Sequence, residues 1–261
     1  MGQEMQGKVA IVTGAGRGIG QAIAERFATE GAAVLVADIA REVAEAVVSH
    51  IVSQGGNAVA QVTDVRNRVD IVSMFDKAEV ALGPIDILVN NAGIGGSASI
   101  EEQDVDAWDN MFAVNVRGVF LGLQEATRRM RVRGSGTIIN IASAAGKIGR
   151  SYMTSYCATK HAVIGITRAA AHELAKDGVR VNAICPGIVD TRLWKEDLNP
   201  HLTELEGHDD QTAWDFRVAA IPIGRHQVPE DVANAAFLLV SREASYITGV
   251  SLSVDGGMVM H

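Results

Sequence analysis

A short apolar run, Lys8–Thr13, stops at Gly14-Ala-Gly16-Arg-Gly18-Ile-Gly20, and a helical pattern built on Ile23 and Phe27 follows until Gly31. No other stretch limits the fold as strongly. The run is apolar after its lysine and bounded by turn residues, which predicts a strand buried on both faces. A helix that starts directly after glycines points free backbone N–H groups and the positive end of its dipole beyond the strand. Glycine lets the chain turn sharply and lets an anion come close to the backbone. Strand, glycine turn and helix N-terminus together predict a pyrophosphate site, with Gly14, Arg17, Gly18 and Ile19 nearest to it.

The same alternation continues along the chain. Apolar runs at Ala33–Asp38, Asn57–Val62, Ile85–Val89, Thr137–Ile141, Val179–Ile184 and Val250–Val254 read as strands. Helical patterns separate them at Arg41–Ser53, Val69–Leu82, Val105–Met130, from Tyr156 on to Gly178, and at Pro229–Val240. Strands alternating with helices predict a parallel, doubly wound sheet in a three-layer α/β/α domain, with right-handed crossovers and ligands at the C-terminal strand ends. The 261 residues suit one domain spanning 1–261, and no repeat or linker divides them. Arg192–Ala220 lacks strand periodicity and is polar and acidic, with Trp194, Trp214, His201 and His208 dispersed in it. The expectation for about 190–220 is a substrate lid. Neither histidine has metal-ligand spacing, so both read as surface residues and no metal is expected.

Charge and cysteine usage exclude other classes. A net charge of −8 lacks the basic footprint of a nucleic-acid binder. The two cysteines, Cys157 and Cys185, make no disulfide framework and read as packing residues of a protein in a reducing compartment. No signal peptide or membrane-length apolar run is recognisable, and Gln6 departs from a myristoylation signal, so a soluble cytoplasmic protein is expected.

Polar residues gather where the strands end. Asp38 closes the second strand about 20 residues beyond the glycine turn, where a carboxylate accepts from an adenosine ribose and repels a 2′-phosphate. It favours NAD over NADP, although Arg17 and Arg41 stand near enough to meet a phosphate; an N-cap for the next helix is compatible with this role. Asp64, followed by Val65, can accept from an adenine amino group or cap the following helix. Asn90-Asn91-Ala92-Gly93 brings small residues and close backbone, while the two asparagines read as ties between strands. Asn115 interrupts the apolar side of its helix, and a buried amide needs partners: a kink with a bound water or a local backbone bond. Tyr156 and Lys160, four residues apart, share one helix face. An ammonium beside a phenol favours the phenolate and pulls its pKa toward neutrality.

Taken together, Thr13-Gly14-x-x-x-Gly18-x-Gly20, Asn90-Asn91-Ala92-Gly93, Asn115, Ser143, Tyr156-x-x-x-Lys160 and Pro186-Gly187 resemble the short-chain dehydrogenase/reductase family over nearly the whole chain. The resemblance implies a Rossmann-type sheet of seven parallel strands, a nicotinamide cofactor and a homotetramer. It implies Tyr156 as general acid/base, Ser143 holding the substrate oxygen, and Lys160 bonding the nicotinamide ribose and lowering the Tyr156 pKa. It also implies Asn115 ordering a relay water, Pro186 and Gly187 shaping the nicotinamide site, and the Val189 backbone and Thr191 hydroxyl meeting its carboxamide. Cys185-Pro-Gly-Ile-Val-Asp-Thr-Arg-Leu-Trp194 and Val254-Asp-Gly-Gly-Met-Val look similar to acetoin/2,3-butanediol and sugar-alcohol dehydrogenases, but Ala144 stands where several of those carry glutamine. The function implied is an NAD-dependent oxidoreductase for a secondary alcohol or ketone, such as a small diol, polyol or hydroxyketone. Alternatives are an NADPH-dependent 3-oxoacyl-thioester reductase and a non-catalytic nucleotide-binding regulator. Lys147 and Arg150 read as solvated loop charges rather than as an anion site.

Overall fold

The computed structural model describes residues 3–207 and 210–260, with side chains at all of these except 197, 199–201 and 210. The elements in chain order are β1 (Val9–Thr13), α1 (Gly18–Thr29), β2 (Ala33–Asp38), α2 (Arg41–Ser53), β3 (Asn57–Val62), α3 (Arg68–Ala81) and β4 (Ile87–Asn90). There follow α4 (Val105–Phe112), α5 (Gly118–Arg133), β5 (Gly136–Ile141), α6 (Thr154–Leu174), β6 (Val179–Pro186), α7 (Asn199–Glu206), α8 (Asp210–Ala219), α9 (Pro229–Val240) and β7 (Ser251–Val254). The seven strands form one parallel sheet in the order β3-β2-β1-β4-β5-β6-β7. The strand order reverses between β1 and β4, which pair as Ala10↔Ile87, and the crevice of such a sheet opens there.

Each strand end owes its position to packing on both faces. In β1, Ala10 and Val12 join one apolar layer with Ile23 and Phe27 of α1. Val9 and Ile11 join the opposite layer with Met74 and Phe75 of α3. That alternation explains why β1 is apolar from Val9 to Val12: neither face meets water. Phe27 and Phe75 are fully buried, and truncating either to Ala costs about 3–5 kcal/mol.

Several boundaries differ from the expectation, most by a residue or two, and those at β4 and in the long helix have physical reasons. β4 starts at Ile87 and not at Ile85, because the Asp86 carboxylate accepts from the Val9 N–H and pairs with Lys8 and Arg133 at the sheet's rim. The long helix expected over Val105–Met130 is interrupted by one π turn, Ala113–Arg117, which widens the backbone at Asn115. Downstream, α5 continues to Arg133 and ends at Gly134, whose φ of 69° is left-handed. The segment expected as a lid holds helix: a π turn at Leu193–Leu198 leads into α7, and α8 spans Asp210–Ala219. The reading of His201 and His208 as surface residues lies outside the described parts. Among the described residues no helix is long and apolar enough to cross a membrane, and no group of three metal-ligating side chains forms.

Candidate active site

The C-terminal ends of β1, β2, β4, β5 and β6 enclose one cleft of about 1110 Å³, and every catalytic or cofactor residue expected from the sequence except Asn115 lines it. At one end lies the glycine turn. Gly14 and Gly18 take φ of 60° and 57°, conformations that favour glycine. A Cβ on Gly20 would lie 2.9 Å from the Ala15 Cα, and closer still to the Gly14 carbonyl and the Asn91 amide. Arg17 is the N-cap of α1, but no side chain caps that helix and its first turn holds no acid. The leading N–H groups are therefore open to an anion.

Asp38 braces this turn from β2. Its Oδ2 accepts from the Gly16 N–H and its Oδ1 from the Ala40 N–H, both at 3.0 Å. It does not cap α2, whose N-cap is Ala40. Arg41 pairs with Glu45 and stays off the cleft wall, whereas Arg17 lines it. Nor does Asp64 cap α3, because Asn67 does so by accepting from Val69. Asp64 pairs instead with Arg66 at 2.7 Å, and that guanidinium holds its carboxyl below the usual range. Asp64 and Val65 remain on the cleft wall.

The asparagines behave as ties. The Asn91 amide donates to the Thr13 and Gly14 carbonyls, and Asn90 donates to Asn140 across the sheet. Sequence reasoning missed Thr13 as a scaffold: its hydroxyl accepts from the Asn91 and Ala92 N–H groups and so fixes the backbone of residues 91–93. It missed Asn140 and Thr167 as well, which extend that polar chain inside the core. It also missed Gln227, whose Oε1 accepts from the Gly187 N–H and shapes the turn after β6. Thr13 was legible as a polar residue at a strand end. The other three take their roles from partners far away in the chain.

At the other end stand Ser143, Tyr156 and Lys160. Ser143 ends the segment after β5, and its hydroxyl accepts from the Ala145 N–H at 3.1 Å. Tyr156 lies in the first turn of α6 and Lys160 one turn on, 8% and 5% exposed. The Lys160 Nζ is 5.5 Å from the Tyr156 ring centre and donates to the Ile141 carbonyl at 3.0 Å. Burial pushes the Tyr156 phenol up to about 12, with the neighbouring Ser143 hydroxyl pulling the other way. Burial also pulls the Lys160 ammonium down to about 8. The lowering of the phenol expected from Lys160 is thus not what the protein alone produces, because burial dominates both groups.

Asn115 projects from the π turn. Its amide exchanges two hydrogen bonds with the Ile94 backbone, both 2.9 Å, and donates to Thr159 at 3.2 Å. The backbone bond is therefore long-range, and the kink is the π turn itself. A Cβ on Gly93 would lie 3.3 Å from the Asn115 Oδ1 and 3.6 Å from the Lys160 Nζ, so residue 93 must be small for the three to converge. Pro186, Gly187, Val189 and Thr191 line the wall after β6. A Cβ on Gly18 would meet the Thr191 methyl at 3.4 Å, so the β1 and β6 sides close over the glycine turn.

The uncapped helix, the close-packed glycines and the carboxylate at the β2 end fit a dinucleotide. Comparison with known proteins agrees. A family model described as short chain dehydrogenase matches residues 8–201. The chain is 39% identical to 2-(S)-hydroxypropyl-CoM dehydrogenase 3 of Xanthobacter autotrophicus over 99% of each chain. It is 39% identical to L-2,3-butanediol dehydrogenase of Corynebacterium glutamicum, covering 97% of this chain and 98% of that one. It is 37% identical to 3-oxoacyl-[acyl-carrier-protein] reductase of Thermotoga maritima, covering 98% and 99%.

Proposed function

The chain belongs to the short-chain dehydrogenase/reductase family, whose members use a nicotinamide cofactor, and on that premise we propose that it interconverts a small secondary alcohol and its ketone with NAD(H). One observation carries the reading: Ser143, Tyr156 and Lys160 line the same cleft as the uncapped glycine turn. Gly14, Arg17, Gly18 and Ile19 would hold the pyrophosphate, Asp38 the adenosine ribose, and Asp64 with Val65 the adenine. Asn91, Ala92 and Gly93 would flank the sugar-phosphate chain. Tyr156 and Lys160 would meet the nicotinamide ribose, and Pro186, Gly187, Val189 and Thr191 the nicotinamide itself. When bound, the nicotinamide supplies the two-electron hydride acceptor for alcohol oxidation and the donor for the reverse.

The protein's part is the proton. The Ser143 hydroxyl holds the substrate oxygen, and the Tyr156 oxygen takes its proton during oxidation or returns one during reduction. At about 12 the phenol holds its proton, which suits the donor role in reduction. For oxidation an adjacent cation must bring it down, and charged Lys160 is the group placed to do so. Asn115 holds the Ile94 backbone and the α6 side of the site in register, beside Lys160. Residues 190–220 act as the substrate lid, and the subunits form a homotetramer. Diols and hydroxyketones fall within the substrate range, as the butanediol relative's name illustrates.

The thioester-reductase reading has a relative in its favour. Asp38 speaks against its NADPH, because a carboxylate on the cleft wall at the end of β2 would repel a 2′-phosphate. A silent regulator has no use for a buried Tyr–Lys pair beside a serine. The test is Tyr156→Phe: turnover falls about 10²–10⁴-fold while NADH binding, read by fluorescence titration, is unchanged. Retained turnover would remove Tyr156 as the acid/base, and equal rates with NADH and NADPH would remove the NAD assignment.

A further inference from the structure

The two ends of the cleft differ in chemistry. The glycine-turn end is lined by backbone and carboxylate. Beyond Tyr156 the wall carries a hydrocarbon patch. Leu198 and Leu202, 2% and 4% exposed, come down from the helical cap and form one cluster with Met111, Met153 and Tyr156. Leu198 presses so closely on the segment after β4 that a Cβ on Gly95 would lie 3.0 Å from its Cδ2.

Among the described residues, charged side chains of the cap pair with one another. Arg217 pairs with Glu206, donates to Thr203 and lies 6.0 Å over the Trp194 ring. Lys195 pairs with Asp190 and Arg192 with Glu196. The Trp194 indole N–H is buried without a partner among the described residues, one donor and no acceptor. Position 144, next to Ser143, is alanine and offers neither. Arg150 lines the cleft and is itself exposed.

Among the described residues, a hydroxyl carried into this chamber is met by Ser143 and Tyr156 if it is the reacting one, and one other can accept from the Trp194 N–H. Each hydroxyl beyond these that is buried against the apolar patch loses its water and regains nothing there. Methylene groups gain from the same wall. We propose that the substrate is a secondary alcohol, or its ketone, on a compact hydrocarbon body, alicyclic or branched, and not a polyol. This narrows the oxidoreductase reading and rests on it.

The test uses the full-length protein with NAD and measures kcat/KM for cyclohexanol, butane-2,3-diol, threitol and galactitol. Each unpartnered hydroxyl lowers kcat/KM about 10-fold, so cyclohexanol exceeds threitol by about 100-fold or more. Met153→Gln and Leu198→Asn each lower the cyclohexanol value about 10-fold and narrow that ratio. Threitol turned over as well as cyclohexanol by the unaltered protein overturns the hydrocarbon-body inference and leaves the oxidoreductase reading standing. Failure to reduce NAD with any alcohol of the panel removes both.

Discussion

Replacing Lys160 by Met should erase a rise in stability that the native protein shows above about pH 8. The ammonium is 5% exposed, and burial lowers its pKa from 10.5 to about 8. Between those values the folded protein has released a proton that the unfolded chain keeps. Stability rises with pH wherever the unfolded state binds more protons, so this group adds stability from about pH 8 upward and none below. The full gap of 10.5 − 8 units corresponds to about 3 kcal/mol, since one unit is about 1.4 kcal/mol. By about pH 9.5 roughly 2 kcal/mol of that is realised. Tyr156 reverses the trend at higher pH: held at about 12 against 10, it keeps a proton the unfolded chain has lost, and stability falls from about pH 10. Cys157 and Cys185, both raised by burial, act in the same direction as Tyr156; Cys185 also feels Lys160, so the variant changes its shift as well. Methionine keeps the stem and loses only the charge and the bond to Ile141, an offset that does not depend on pH. Urea unfolding of both proteins, without nucleotide, should therefore show the native-minus-variant difference growing by about 2 kcal/mol between about pH 7 and 9.5. Parallel pH profiles would refute the claim that a desolvated ammonium sits in the core of the site.

The other perturbations address the cofactor end and the cap. Asp38→Ser removes the acceptor of the Gly16 and Ala40 N–H groups; stability should fall by about 1–2 kcal/mol and the kcat/KM preference for NAD over NADP should drop at least about 10-fold. An unchanged preference would leave Asp38 as a turn brace only. Gly20→Ala forces a Cβ to within 2.9 Å of the Ala15 Cα, so urea unfolding should show a loss of about 1–3 kcal/mol together with a raised KM for NAD; a neutral variant would mean that the turn is looser than drawn. Shortening residues 195–215 removes Leu198 and Leu202 from the chamber, and the substrate KM should rise several-fold more than the NAD KM, whereas equal rises would argue against a lid.

Much of the cleft was legible before any coordinates. The glycine turn, Asp38 at the end of β2 and the Tyr156–Lys160 spacing are local patterns, and the structure brings all three to one rim of the sheet. Asn115 signalled a kink, but not that it would be a π turn, because its partner, the Ile94 backbone, lies in another segment. Gln227 escaped notice for a similar reason, being 40 positions from the Gly187 it supports.

Periodicity and spacing belong to covalent geometry, so the amino-acid sequence alone determined the strand–helix alternation, the parallel sheet and the face shared by Tyr156 and Lys160. Protonation and polarity of the site belong to what surrounds each group. Only the tertiary structure decided that burial would raise the Tyr156 phenol, lower the Lys160 ammonium and line the far chamber with Leu198, Leu202 and Met153. The physical reason is that desolvation depends on neighbours contributed by distant parts of the chain, and no local pattern counts them.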